Sequence, residues 1–178
     1  MRRLVDADRL RRLMSVLGHA VREESRIYLT GGASAVLLDW RSSTIDVDIK
    51  IEPERDDVLR ELPALKEALE INIELASPGD FIPELPGWRD RSPFIAREGT
   101  LSFHHYDFYA QALSKLERRH ARDIDDVREM HARRLIAADR LLALFSEIED
   151  QLYRYPAINP RSFRPAVERA VETMRGRD

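Results

Sequence analysis

Ile27-Tyr28-Leu29-Thr30-Gly31-Gly32-Ala33-Ser34, followed after a short apolar run by Arg41-Ser42-Ser43-Thr44-Ile45-Asp46-Val47-Asp48-Ile49-Lys50-Ile51, is the stretch that decides how this chain folds. It reads as an apolar strand, a Gly-Gly turn opening a short helix, and a second strand carrying two carboxylates. The two-residue period of a strand puts Asp46 and Asp48 on one face, about 6 to 7 Å apart along the backbone. Ile45, Val47 and Ile49 are expected on the other face, packed into the core. Two rigidly held carboxylates suit Mg²⁺, which takes one or two such ligands and completes its octahedron with water and phosphate oxygens. Two ions roughly 3.5 to 4 Å apart can stabilise the attacking and leaving oxygens of an in-line displacement. Gly31 and Gly32 let the backbone turn sharply and approach a ligand closely, so the pattern points to metal-assisted phosphoryl or nucleotidyl transfer.

Further along, Lys115-Leu116 is followed by Arg122-Asp123-Ile124-Asp125-Asp126. Together with Gly31-Gly32 and Arg41-x-x-Thr44-x-Asp46-x-Asp48, this arrangement resembles the nucleotidyltransferase superfamily, in particular the small bacterial branch of AbiEii-type toxins and DUF6036-like nucleotidyltransferases. The resemblance spans Ile27 to about Arg134. It departs at the turn, where many members have Gly-Ser and this chain has Gly31-Gly32 with Ser34 two positions on. The resemblance implies a transfer of a nucleoside monophosphate from an NTP to an RNA (often tRNA) or protein hydroxyl, in a toxin–antitoxin setting. It further implies Mg²⁺, with two ions expected at Asp46 and Asp48. Gly31, Gly32 and Lys115 are the expected triphosphate contacts, with Ser34 a candidate hydroxyl. Arg41 or Thr44 either orders the start of the strand or touches phosphate.

A third carboxylate from a neighbouring strand is a general habit of this superfamily. In Ile71-Asn72-Ile73-Glu74-Leu75 the polar residues alternate with apolar ones, so Asn72 and Glu74 share a face, and Glu74 is the candidate third metal ligand; an edge glutamate facing water is the alternative. In the helix after Lys115, Arg122, Asp123 and Asp126 are expected on one side, with Ile124 and Val127 turned inward. Asp123 is the stronger candidate for a catalytic part. Ion pairing of Asp123 and Asp126 with nearby arginines is the competing reading.

Composition bounds the rest. The chain has 178 residues, a net charge of −3, 43% hydrophobic and 34% charged residues, and no cysteine. That length suits one compact unit with its own core, here expected as an α/β part over 1–110 and a helical part over 111–178 packed on it. The expected fold class is α/β (α+β), a small mixed sheet flanked by helices with a helical C-terminal part. No apolar run approaches a membrane span, no secretory signal is evident, and without cysteine there is neither a disulfide framework nor a thiolate zinc site. A cytoplasmic setting is expected. Net negative charge gives no general attraction to nucleic acid, so an RNA contact needs a local basic patch. Of the 29 basic residues only Lys50, Lys66 and Lys115 are lysines, which singles out Lys115 as a compact charge suited to phosphate.

The remaining expectations concern elements. Asp6 to Ser25 reads as a helix with Leu10, Leu13, Met14 and Leu17 inward and its arginines solvated. Pro53 is expected as the first residue of a helix with Leu59, Leu62, Leu65 and Leu69 buried and Pro63 a possible kink. Ser77 to Gly99, broken by prolines and glycines, reads as a loop that shapes a cleft or simply packs through Phe81, Ile82, Leu85 and Trp88. Leu101 to Tyr106 reads as a strand, Asp107 as the N-cap of a helix Phe108 to Arg119, and Asp139 to Tyr155 and Asn159 to Met174 as helices. His104 and His105 point to opposite faces and are expected to be structural. Leu152, Tyr153, Tyr155 and Phe163 suggest an apolar docking face on the C-terminal helices, for an antitoxin or a second copy. Two other function classes remain: a catalytically silent binding module on the same fold, and a metal-dependent nuclease using Asp48-Ile49-Lys50.

Overall fold

The computed structural model describes residues 3–176. The chain forms two compact units, Met1–Ser77 with Ser92–Tyr106, and Pro78–Arg91 with Asp107–Asp178.

The first unit holds helices α1 (Ala7–Ala20), α2 (Gly32–Leu37) and α3 (Asp56–Ala68) and strands β1 (Ser25–Thr30), β2 (Asp46–Glu52), β3 (Asn72–Leu75), β4 (Phe94–Glu98) and β5 (Leu101–His105). The five strands make one mixed sheet in the order β3-β2-β1-β5-β4, antiparallel at β2/β1 and β5/β4 and parallel at β3/β2 and β1/β5. Alternation along each strand sorts the faces. Ile27, Leu29, Val47, Ile49, Ile73, Leu101 and Phe103 turn to one side, where they join Leu10, Leu13 and Leu17 of α1 and Val58, Leu62 and Leu65 of α3 in a single core. Burying such a side chain contributes about 1.5 to 3 kcal/mol, so this set fixes the register of β2 and with it the direction of every second residue.

α1 starts where Asp6 accepts a hydrogen bond from the Arg9 N–H at 2.9 Å. α3 begins at Asp56, three residues beyond Pro53, which lies in the turn; Pro63 is accommodated inside the helix. Ile45 does not join the core. It precedes β2 and is 61% exposed, because the strand's inward alternation begins only at Val47. β4 lies within the stretch expected to be a loop. A turn with Gly99 at φ +56° folds β4 back on β5, and cross-strand pairing supplies what local composition did not signal.

The second unit holds α4 (Phe108–Arg118), α5 (Ala121–Ala132), α6 (Ala138–Ile148) and α7 (Pro160–Arg175), with short 3₁₀ turns at Pro78–Asp80 and Glu149–Arg154. Asp107 caps α4 by accepting from the Tyr109 N–H at 3.1 Å, and Asn159 caps α7 with Pro160 at its first position. The Asp107 carboxylate is buried and grips Arg91 through two guanidinium nitrogens at 2.6 and 3.1 Å. Burial nonetheless raises its pKa above the ordinary carboxylate value. Ile82, Leu85 and Trp88 are buried, whereas Phe81 is half exposed. Leu152 and Phe163 are core residues, Phe163 packing edge-on against Phe145 at 4.9 Å; of the four residues only Tyr153 is strongly exposed, so they do not make the apolar surface expected of them. Tyr155 donates its hydroxyl hydrogen to the Gly79 carbonyl at 3.0 Å.

Candidate active site

Asp46 and Asp48 stand on the face of β2 opposite the core, both half-buried, with Val47 and Ile49 anchoring the strand beneath them. The register sets Asp48 across from Thr30 of β1 on one side and Glu74 of β3 on the other, and Asp46 across from Asn72. Asp46, Asp48, Asn72 and Glu74 therefore lie on one face of two adjacent parallel strands.

Asn72 shares that face with Glu74 but had no part in the site expected from sequence. Its side-chain amide donates to Asp46 Oδ1 at 2.7 Å and to Glu74 Oε1 at 2.8 Å, tying the two carboxylates to each other through a neutral donor. The signal was its place two residues before Glu74 on an alternating strand. A neutral bridge orients Asp46 without adding a cation that would compete with one arriving from solution.

The two glycines are each demanded by a neighbour. Gly31 sits at φ +59°, the left-handed region, and a side chain there would press on Asp48 Oδ2 at 3.3 Å. At Gly32 a Cβ would lie 2.1 Å from Thr44 Oγ1. Thr44 donates that hydroxyl hydrogen to the Asp46 carbonyl at 3.0 Å, while its backbone bridges to Val5 in both directions, at 2.8 and 2.9 Å. Of the two readings for Thr44, its contacts favour ordering the start of β2. Arg41 follows α2, its N–H donating to the Ala35 carbonyl at 3.3 Å. Ser34 is fully buried; its hydroxyl donates to the Leu29 carbonyl at 3.1 Å and lies 2.9 Å from His105 Nδ1.

His105 and His104 do take opposite faces. Burial, then the neighbouring His104, lowers the pKa of His105 to about 4, so it is neutral near pH 7. The His104 ring lies 5.5 Å from that of Tyr28, tilted against it, and 5.5 Å from that of Phe94, edge-on.

Asp46 and Asp48 give two hard oxygen donors beside an open backbone turn, a set that fits Mg²⁺ with water and phosphate as its other ligands. Glu74 is exposed and hydrogen-bonded to Asn72; among the described residues no three His, Asp or Glu side chains converge on one point.

In the second unit, Lys115 is 6% exposed, and its ammonium donates to Asp126 Oδ2 at 2.6 Å and approaches Asp123 Oδ1 at 3.4 Å. Asp123 also accepts from Arg118 at 2.7 and 2.8 Å. Burial alone would raise the pKa of Asp123, but Arg118 and Lys115 outweigh it and hold the carboxyl below its usual range. Asp123 and Asp126 thus turn inward with Val127 and Met130, joining α5 to α4, while Arg122 is exposed. The ion pairing weighed at the sequence level is present, with Lys115 as the partner that reading did not name.

A two-carboxylate strand behind a Gly-Gly turn, on a mixed sheet followed by helices, is the arrangement expected of a nucleotidyltransferase-type fold. The model of a family described as nucleotidyltransferase of unknown function (DUF6036) matches residues 3–175, and the chain belongs to that family. No curated protein and no solved structure matches it significantly. No helix among the described residues is long and apolar enough to cross a membrane.

Proposed function

We propose that this protein is a Mg²⁺-dependent nucleotidyltransferase that moves a nucleoside monophosphate from an NTP to a hydroxyl of an RNA, such as tRNA, or of a protein. The observation that carries the reading is the pairing of Asp46 with Asp48 on the outward face of β2, with Gly31 held open against Asp48. In the reaction the acceptor oxygen bonds to the α-phosphorus, the bond to the bridging oxygen breaks, pyrophosphate leaves, and the hydroxyl proton passes to solvent. Mg²⁺, when bound, neutralises charge on the phosphates and polarises the reacting phosphorus. Asp46 and Asp48 bind the ions, Asn72 orients Asp46, and Thr44 fixes the approach to the strand.

Glu74 is the candidate third ligand, reached once its hydrogen bond to Asn72 is exchanged. The triphosphate lies along the Gly31-Gly32 turn, whose two glycines add no side chains of their own. Lys115 and Asp123 are assigned to joining α4 and α5, because each already holds an opposite charge in the same unit. The likeness to AbiEii-type toxins supports a toxin–antitoxin role in a bacterial cytoplasm.

The test is incubation of the purified chain with each NTP radiolabelled at the α-phosphate, Mg²⁺ and total RNA or protein, beside an Asp46→Asn/Asp48→Asn variant. Label transferred by the wild type and lost in the variant is the expected result. Absence of label together with absence of any NTP-dependent thermal shift would leave a binding module instead; nucleic-acid cleavage without NTP would point to a nuclease.

A further inference from the structure

The second unit carries a cavity of about 550 Å³ bounded by α4, α5 and α7. From α5 it takes Ile124, Val127, Arg128, His131 and Ala132, the positions i, i+3, i+4, i+7 and i+8. α7 gives Ala166, Arg169, Ala170, Thr173 and Met174, the same spacing again. Two stripes of this kind, each about two turns long over a floor that includes Leu116, outline a slot for another helix. Three alanines on the walls, Ala132, Ala166 and Ala170, let a backbone come close.

The charge in this slot is all of one sign. Arg119, Arg128, Arg134 and Arg169 line it, and no carboxylate does, although the whole chain is net negative. Arg119 makes a 3.3 Å hydrogen bond to Ser162, and Arg128 forms an exposed pair with Asp125 of the kind that contributes little. The lining has no Phe, Tyr or Trp, and His131 is its one aromatic ring, so it lacks the row of large rings on which successive bases of a single strand stack. The chain's own acidic helix, α3, has its apolar side buried through Val58, Leu62 and Leu65, so α3 of a second copy does not supply the occupant.

We infer that the slot between α5 and α7 is a docking site for an acidic amphipathic helix of a partner protein. The partner's apolar stripe lies on Ile124, Ala132 and Ala170, over the buried Val127 and Ala166, while its flanking carboxylates meet Arg128 and Arg169. This site is independent of the reading of Asp46 and Asp48, since binding here is measured without NTP or Mg²⁺.

The experiment uses fluorescence anisotropy on the full chain. The probes are a helical peptide of about 18 residues, roughly 27 Å long, with leucines along one stripe and flanking glutamates; its counterpart with lysines; and a single-stranded RNA. The acidic peptide is expected to bind saturably and the lysine peptide not to. Arg128→Glu/Arg169→Glu is expected to weaken the acidic peptide by about tenfold or more and to create binding of the lysine peptide. Ala132→Trp, which fills the slot from an exposed position, should remove peptide binding while the thermal melt stays unchanged. No saturable binding of the acidic peptide at millimolar concentration, equal binding of both peptides, or RNA binding lost in the same variants would overturn the assignment.

Discussion

The pair Asp46 and Asp48 on β2 and the pair Asp123 and Asp126 on α5 look alike in sequence, and their surroundings separate them. Asp123 and Asp126 are almost fully buried and neutralised within their own unit by Lys115 and Arg118. Asp46 and Asp48 are half-buried, and the hydrogen bond that Asp46 accepts from Asn72 comes from a neutral amide. A carboxylate whose counter-ion is built into the chain stabilises packing, because removing either partner strands a buried charge. Asp46, oriented by a neutral donor, keeps its negative charge for a cation from outside. The comparison teaches that an Asp-rich motif is assigned by what already sits beside it.

The comparison can be broken most directly at β2. Asp46→Asn or Asp48→Asn is expected to lower nucleotide transfer by at least about a hundredfold with little change in thermal stability, as label transfer and calorimetry together would read. A large loss of stability with activity retained would reverse the assignment. At the other pair the signs exchange. Lys115→Met is expected to destabilise the fold by about 3 kcal/mol or more in urea titration, because Asp126 is left buried without its cation. Replacing Asp126 by Leu in the same chain should recover much of that loss, which a phosphate-binding lysine would not show.

A smaller effect is expected at the turn. Gly32→Ala drives a methyl group into Thr44 and should cost about 1 to 3 kcal/mol, partly restored by Thr44→Ala in the double variant. Activity should fall in both, since Thr44 also fixes the Asp46 carbonyl.

A separate effect concerns pH. His105 has its folded pKa lowered from 6.5 to about 4, so between those values the unfolded chain binds the extra proton. Its contribution is fully present above about pH 6.5 and is lost as pH falls towards 4, at up to about 1.4 kcal/mol per pH unit. A His105→Gln variant should flatten that part of the stability profile measured by urea titration.

How much could be read beforehand varies along the chain. The strand-turn-helix-strand order, the outward face of Asp46 and Asp48, the caps Asp107 and Asn159 and the opposed faces of His104 and His105 were legible because each depends on neighbours within a few residues. Ile45 was misjudged because alternation does not say where a strand begins. β4 was hidden because Pro93 and Gly99 bound a segment whose hydrogen bonds come from β5. Leu152 and Phe163 counted as surface until helix packing showed them buried. The pairing of Lys115 with Asp126 spans two helices, beyond the reach of a single helical period.

The sequence by itself determined the chemistry on offer: two carboxylates two residues apart on a strand, two glycines before a short helix, and arginine in place of lysine nearly everywhere. Those follow from backbone periodicity and from the side chains each residue brings. Tertiary structure alone decided which charges are neutralised, that Asn72 bridges Asp46 and Glu74, that Thr44 stands over Gly32, and that α5 and α7 leave an arginine-lined slot. These depend on strand register and helix packing, in which residues distant along the chain become neighbours, and a linear pattern holds no distance between them.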